Sequence, residues 1–195
     1  SAGMMSGLTS PARSWFDLGL TPRELEKCPG VCEWLGEIKR CLEEAFSASN
    51  VYSTLHTFYQ EIAVFGTAAF LLEEDPQKGI RCRPFTIGEY SLGTDALGRV
   101  NRFGREFFLT APQMQESFGL KNLPPAIRQE AAQNRPARYH KILHLIFPNP
   151  EFSKECLDNR HMAYSSVYLT ETGHLLRQSG YREFPVIAAR WEVKQ

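Results

Sequence analysis

Ile62-Ala63-Val64-Phe65-Gly66-Thr67-Ala68-Ala69-Phe70-Leu71-Leu72-Glu73-Glu74-Asp75-Pro76-Gln77-Lys78-Gly79-Ile80-Arg81-Cys82-Arg83-Pro84-Phe85 is where the hydrophobic period of this chain changes. Before the glycine, Leu55, Phe58, Tyr59, Ile62 and Phe65 recur at helical spacing, and Gly66 suits the left-handed residue that closes a helix. After it, Thr67 to Glu73 is a short apolar run, Asp75 to Gly79 has turn composition, and Ile80 to Phe85 alternates. A helix that runs straight into a β-hairpin predicts an α+β fold, with N-terminal helices followed by a mixed, mostly antiparallel β assembly.

Moving upstream, Ser49-Asn50 reads as the cap of this helix. A second amphipathic helix precedes it, with Val31, Trp34, Leu35, Ile38, Leu42, Ala45 and Phe46 opposite Glu33, Glu37, Arg40 and Glu44. Thr21-Pro22-Arg23-Glu24 has the composition of a helix start, and Pro29-Gly30 reads as an interruption of it. The opening run, Gly3 to Phe16, mixes Met4, Met5, Leu8, Trp15 and Phe16 with small residues, and reads neither as a signal peptide nor as a helix. Such apolar side chains need a partner: the helices from Val31 to Phe65, an adjacent subunit, or another part of the same, longer chain. Residues 1–20 are therefore expected to form an arm, and 21–195 the domain behind it.

Downstream, strands are expected at Glu89 to Leu92, Val100 to Leu109, Tyr139 to Phe147, Ala163 to Thr170, Leu175 to Gln178 and Phe184 to Val193. Two short helices are inserted among them, one begun by Thr110-Ala111-Pro112-Gln113 and one over Pro124 to Asn134. Consecutive strands joined by turns suggest a meander. The chain opens on Ser1 rather than Met and stops just after an apolar strand-like run, which reads as an excised piece of a longer protein.

Lys+Arg and Asp+Glu both number 22, so the net field gives no reason to expect strong phosphate binding. The longest apolar run, Ile62 to Leu72, is too short to cross a bilayer, and no membrane partner is expected. Cys28, Cys32, Cys41, Cys82 and Cys156 are an odd set without the density of a disulfide scaffold, and are read as free thiols.

Cys28-Pro29-Gly30-Val31-Cys32 invites a zinc or redox reading, but no second pair completes a four-sulfur site, and no metal or other cofactor is expected. A small hydrolase would need one of the cysteines beside His56, His140, His144, His161 or His174; no nucleophile elbow, phosphate loop or metalloprotease motif accompanies them, and no catalytic residue is assigned. Arg81, Arg83, Arg99, Arg102 and Arg105, interleaved with Phe85, Phe103, Phe107 and Phe108, could form the surface of a standalone nucleic-acid-binding module. The plainer reading has strand alternation turning Phe inward and Arg outward, offset by Glu89, Asp95 and Glu106. Arg81, Arg83 and Arg105 are the residues expected to make any weak DNA contact.

Gly3-Met4-Met5-Ser6-Gly7-Leu8-Thr9-Ser10-Pro11-Ala12-Arg13, then Val64-Phe65-Gly66-Thr67-Ala68, Gly88-Glu89-Tyr90, Gly98-Arg99-Val100 with Arg105-Glu106-Phe107, and Glu183-Phe184-Pro185-Val186 form an ordered set. In order and spacing it resembles the head-to-tail connecting (portal) proteins of short-tailed, podovirus-type bacteriophages. The resemblance implies a non-enzymatic part of a ring subunit, made in the bacterial host cytoplasm and built into the virion. Other portal subunits, capsid, terminase and tail proteins would be the partners, and DNA would pass through the ring. By analogy, residues 21–195 look like the outer wing, with the stem, clip and crown elsewhere in the subunit. Met4, Met5, Leu8, Trp15 and Phe16 would then be subunit-interface residues.

Overall fold

The computed structural model describes residues 2–21, 28–133, 138–155 and 158–191. In chain order the elements are α1 (Ala2–Leu8), α2 (Pro29–Ala48), α3 (Val51–Phe65), β1 (Thr67–Asp75), β2 (Gly79–Phe85), β3 (Tyr90–Thr94), β4 (Val100–Thr110), α4 (Ala111–Phe118), α5 (Pro125–Ala132), β5 (Tyr139–Pro148), β6 (Tyr164–Thr170), β7 (Leu175–Tyr181) and β8 (Val186–Arg190). They fall into two compact units, Ser1–Ile87 with Val186–Gln195, and Gly88–Pro185. The α+β class expected from the change of period is what the chain adopts, with helices first and antiparallel sheets after.

In the first unit β1 lies between β2 and β8, antiparallel to both, with Asp75 opposite Gly79 and Leu71 opposite Val186. The hairpin turn follows from its sequence: Asp75 Oδ1 accepts the backbone N–H groups of Gln77 and Lys78 at 2.8 and 3.1 Å, and Gly79 takes φ 78°. Those two bonds hold the Asp75 carboxyl below its usual range. Helix α3 closes at Gly66 in the left-handed conformation, φ 70°, with the glycine N–H on the Ile62 carbonyl. Its buried residues Val51, Phe58, Tyr59 and Ile62 pack with Ala68 and Phe70 of β1 and Cys82 of β2. Phe58 meets Phe70 edge-on at 5.2 Å.

Two local readings are corrected, and a third is not tested. The opening run does contain a helix, α1. Its glycines oppose helix formation, and tertiary anchors overcome them. Met4 and Met5 pack against the α3 cluster, the Thr9 hydroxyl meets the buried Tyr59 hydroxyl, and Arg13 Nη2 donates to the carbonyls of Ser6 and Gly7 at the helix end. Pro29-Gly30 lies inside α2 and forms its first turn, where a proline sacrifices no helical hydrogen bond, so the helix begins before the apolar stripe at Val31. The helix start expected at Thr21 to Glu24 falls on residues 22–27, outside the described residues.

Asn50 precedes α3 as expected, but its side chain makes no cap bond to that helix. It donates from Nδ2 to the Cys82 carbonyl at 2.6 Å and accepts the Cys82 N–H on Oδ1 at 2.8 Å. Since β2 is an edge strand, the amide satisfies two backbone groups turned away from β1.

The second unit is a five-stranded antiparallel meander in sequential order, β3-β4-β5-β6-β7. Between β4 and β5 the chain inserts α4 and α5. Thr110 and Gln113 form a capping box at the start of α4, with the Thr110 N–H on Gln113 Oε1 at 2.9 Å. Met114, Phe118, Leu123, Ile127 and Ala131 from this insertion pack with Ile142 and Leu176, flanked by Phe107, Leu109 and Tyr168. Gly180 on β7 admits no side chain, because a Cβ there would stand well inside contact distance of the Asn159 carbonyl oxygen and 2.8 Å from Met162 Cβ.

Replacing Asn50 by Ala should leave the Cys82 N–H and C=O without their partner and cost about 1–3 kcal/mol in urea unfolding. Gly180→Ala should cost about 1–3 kcal/mol through forced backbone movement. An unchanged unfolding midpoint in either variant would refute the corresponding contact.

Candidate interaction surfaces

The entry arm lies on this chain's own helices. The Trp15 indole stacks on Phe46 of α2 with centroids 6.1 Å apart and an interplanar angle of 16°. It meets Phe16 edge-on at 5.0 Å, and its Nε1–H points to the Tyr52 hydroxyl at 3.4 Å. Phe16 also contacts Phe46 at 5.7 Å. Lys39 pairs with Asp17 at 3.2 Å, and this bond holds the Asp17 carboxyl below its usual range. Met4, Met5, Trp15 and Phe16 are half-buried in this way, whereas Leu8 is 58% exposed.

A second apolar surface sits where α3 ends. Phe65 is 52% exposed and Trp191 71%. With Met4, Ile62, Ala63 and Gly66 they line an open cleft of about 560 Å³. Helical spacing put Phe65 on the core stripe, but the core-facing sequence ends at Ile62. Trp191 is held there by its backbone N–H on the Gly66 carbonyl at 2.7 Å, a contact between residues far apart in sequence that no local pattern reveals.

The three arginines expected near DNA have different surroundings. Arg81 is exposed, opposite Glu73 in the hairpin register. Arg83 pairs with Glu73 at 3.3 Å. Arg105, in the second unit, lies over the Phe107 ring at 4.4 Å and donates from Nε to His144 Nδ1 at 3.4 Å. The expected sorting of Phe inward and Arg outward holds on β4 for Arg102 and Phe103 and fails for Arg105 and Phe108. Phe103, Arg105 and Phe107 share one parity and one face, while Phe108 points the other way and is 60% exposed. Glu106 is bound by Lys141 at 2.7 Å, and Asp95 accepts the backbone N–H groups of Leu97 and Arg99 in its own turn.

Cys28, Cys32 and Cys41 are exposed. Cys82 is buried, which pushes its thiol pKa up and lowers its nucleophilic fraction. Cys156 lies outside the described residues. His140 bonds to Glu130 at 2.7 Å, His144 to Ser166 at 3.0 Å, His161 to Asp158 at 2.5 Å and His174 to the Asn122 carbonyl at 3.1 Å. These bonds join the four histidines to oxygens, and Arg105 adds a guanidinium at His144. Among the described residues no three or more His, Cys, Asp or Glu side chains converge as a metal site, and no helix is long and apolar enough to cross a membrane.

The family model described as bacteriophage head to tail connecting protein matches residues 1–195. The chain belongs to that family. It is 38% identical over 196 residues to the portal protein of Salmonella phage epsilon15. It is 35% identical over 196 residues to the probable portal protein of Bordetella phage BPP-1. Each alignment takes in 99% of this chain and 35% of the relative, so the chain spans about a third of the length of these curated relatives. This family membership is the one expected from the ordered motifs between Gly3 and Val186.

Stability separates the two kinds of apolar residue in the connector arm. Trp15→Ala should destabilise the isolated chain by about 1–3 kcal/mol, since it removes a stacked, half-buried ring, whereas Leu8→Ala should change stability by less than about 0.5 kcal/mol. Equal effects in thermal or urea unfolding would contradict the packing of the arm.

Proposed function

We propose that this chain is a structural segment of a portal subunit, the head-tail connector of a podovirus-type phage. The observation that carries this reading is the extent of the similarity, which runs through 99% of the chain to two phage proteins named as portal or probable portal. In this reading the parent subunit assembles with its copies into a ring in the virion, after synthesis in the bacterial host cytoplasm. DNA passes through the ring during packaging and ejection, and capsid, terminase and tail proteins are the outer partners. The segment acts by packing rather than by catalysis.

Within that ring the entry arm is the proposed contact with a neighbouring subunit. Leu8 offers exposed apolar surface, with Met4 and Met5 on the same short helix and Trp15 and Phe16 fixing the arm behind it. Any DNA contact by this segment falls to Arg81, because Arg83 and Arg105 already have partners in the chain. A ring contact of this kind is heterologous, the same two unlike patches repeating around the axis.

The parent protein provides the test. Electron microscopy and native mass measurement of the full-length subunit should give a closed ring with a central channel. A monomer, or an assembly without a channel, would overturn the portal reading. Leu8→Asp in the full-length protein should reduce ring formation while leaving the fold of the subunit intact; undiminished ring assembly would remove the arm from the interface.

A further inference from the structure

We propose that His144 is an acid-sensitive latch of the five-stranded unit, held as the neutral imidazole with its proton on Nε2. The residue lies on β5, fully buried. Arginine has no acceptor and does not lose its charge, so the bond from Arg105 Nε to Nδ1 at 3.4 Å requires a lone pair on Nδ1. The one remaining ring proton then sits on Nε2 and is donated to Ser166 Oγ at 3.0 Å, also buried. Tyr168 stacks on the imidazole at 3.9 Å and 7°, and Phe103 meets it edge-on at 6.1 Å.

Protonation disrupts this arrangement in two ways. It turns Nδ1 into a donor facing another donor, and it places a second cation, on a fully buried ring, beside the Arg105 guanidinium. The groups around the ring are those of each neighbouring strand and helix. From β4 come Arg105 and Phe103, and from β6 Ser166 and Tyr168. Arg177 of β7 lies over the far side of the Tyr168 ring at 5.8 Å, and Phe118 of α4 touches that ring at 5.4 Å. Tyr90 of β3 pairs in register with Arg105 and stacks on Phe103. Farther along the same face of β5, the carboxylate of Glu130 on α5 is bound by His140. Glu89, just before β3, lines an open cleft together with Arg105, and the charge in hydrogen-bond contact with the ring is the Arg105 guanidinium.

The sign of the effect follows. An imidazole in the unfolded chain takes up a proton near pH ~6.5. A folded state that excludes that proton is fully stabilised above this value and loses stability as the pH falls below it, with a limit of about tenfold in the folding constant per pH unit for one proton. The chain carries four other histidines. The signal of His144 must therefore be read as a difference. Glutamine supplies the comparison, since its amide can accept from Arg105 and donate to Ser166 but does not titrate.

The test uses the 195-residue chain. Histidine ¹⁵N NMR at pH 7.5 and 5.5 should show an unprotonated Nδ1 and a protonated Nε2 at His144 at both values. Urea unfolding from pH 7.5 to 5 should give a ratio of folding constants, wild type to His144→Gln, that falls below pH ~6.5 with a slope approaching tenfold per unit. An imidazolium at neutral pH, a proton on Nδ1, or a flat ratio would each overturn the proposal. If the glutamine variant does not fold, the NMR assignment of the wild-type ring decides alone. The inference stands independently of the portal reading.

Discussion

Burial of β1 organises the first unit. Ala68, Ala69, Phe70 and Leu71 are consecutive and nearly free of solvent, so both faces of the strand are covered, and both of its edges are paired. The edge toward β2 is local, closed by a hairpin whose turn is fixed by Asp75 and Gly79. The edge toward β8 is closed by residues that return after the whole second unit has been threaded, so the sheet joins segments more than a hundred residues apart. Such closure carries the entropy of a long loop, and the apolar contacts of β1 and α3 are what offset it.

Two polar arrangements set the register around these apolar contacts. Asn50 supplies both a donor and an acceptor to the backbone of Cys82, which fixes the turn between α2 and α3 against the outer strand of the hairpin. His144 does the equivalent inside the second unit, tying β4 to β6 across β5 through Arg105 and Ser166. In each case a side chain with two complementary hydrogen-bonding groups satisfies partners that burial would otherwise leave unpaired.

Much of the fold could be read locally because its signals are short-range. Gly66, the Thr110 and Gln113 capping box, and the turn from Asp75 to Gly79 act within a few residues of themselves, and each element they bound was expected where it occurs. Where the local reading failed, a distant contact had overridden propensity. Helix α1 contains two glycines and forms because Met4, Met5, Thr9 and Arg13 find partners. Arg105 points to the core side of β4 because His144 and Phe107 receive its guanidinium there. The burial of His144 was not legible in β5, because Leu143, Leu145 and Phe147 alternate with Ile142, His144 and Ile146 and make both faces read as apolar.

The sequence by itself determined the class, the order of elements and the family, because caps, turns and hydrophobic periods are written into neighbouring residues and the connector motifs keep their order along the chain. Tertiary structure alone decided that β8 completes the sheet begun by β1, that the arm lies on α2 and α3, and that Phe65 and Trp191 face solvent. The reason is physical. Pairing between distant segments depends on which surfaces bury the most apolar area and satisfy the most polar groups together, and no single segment carries that sum.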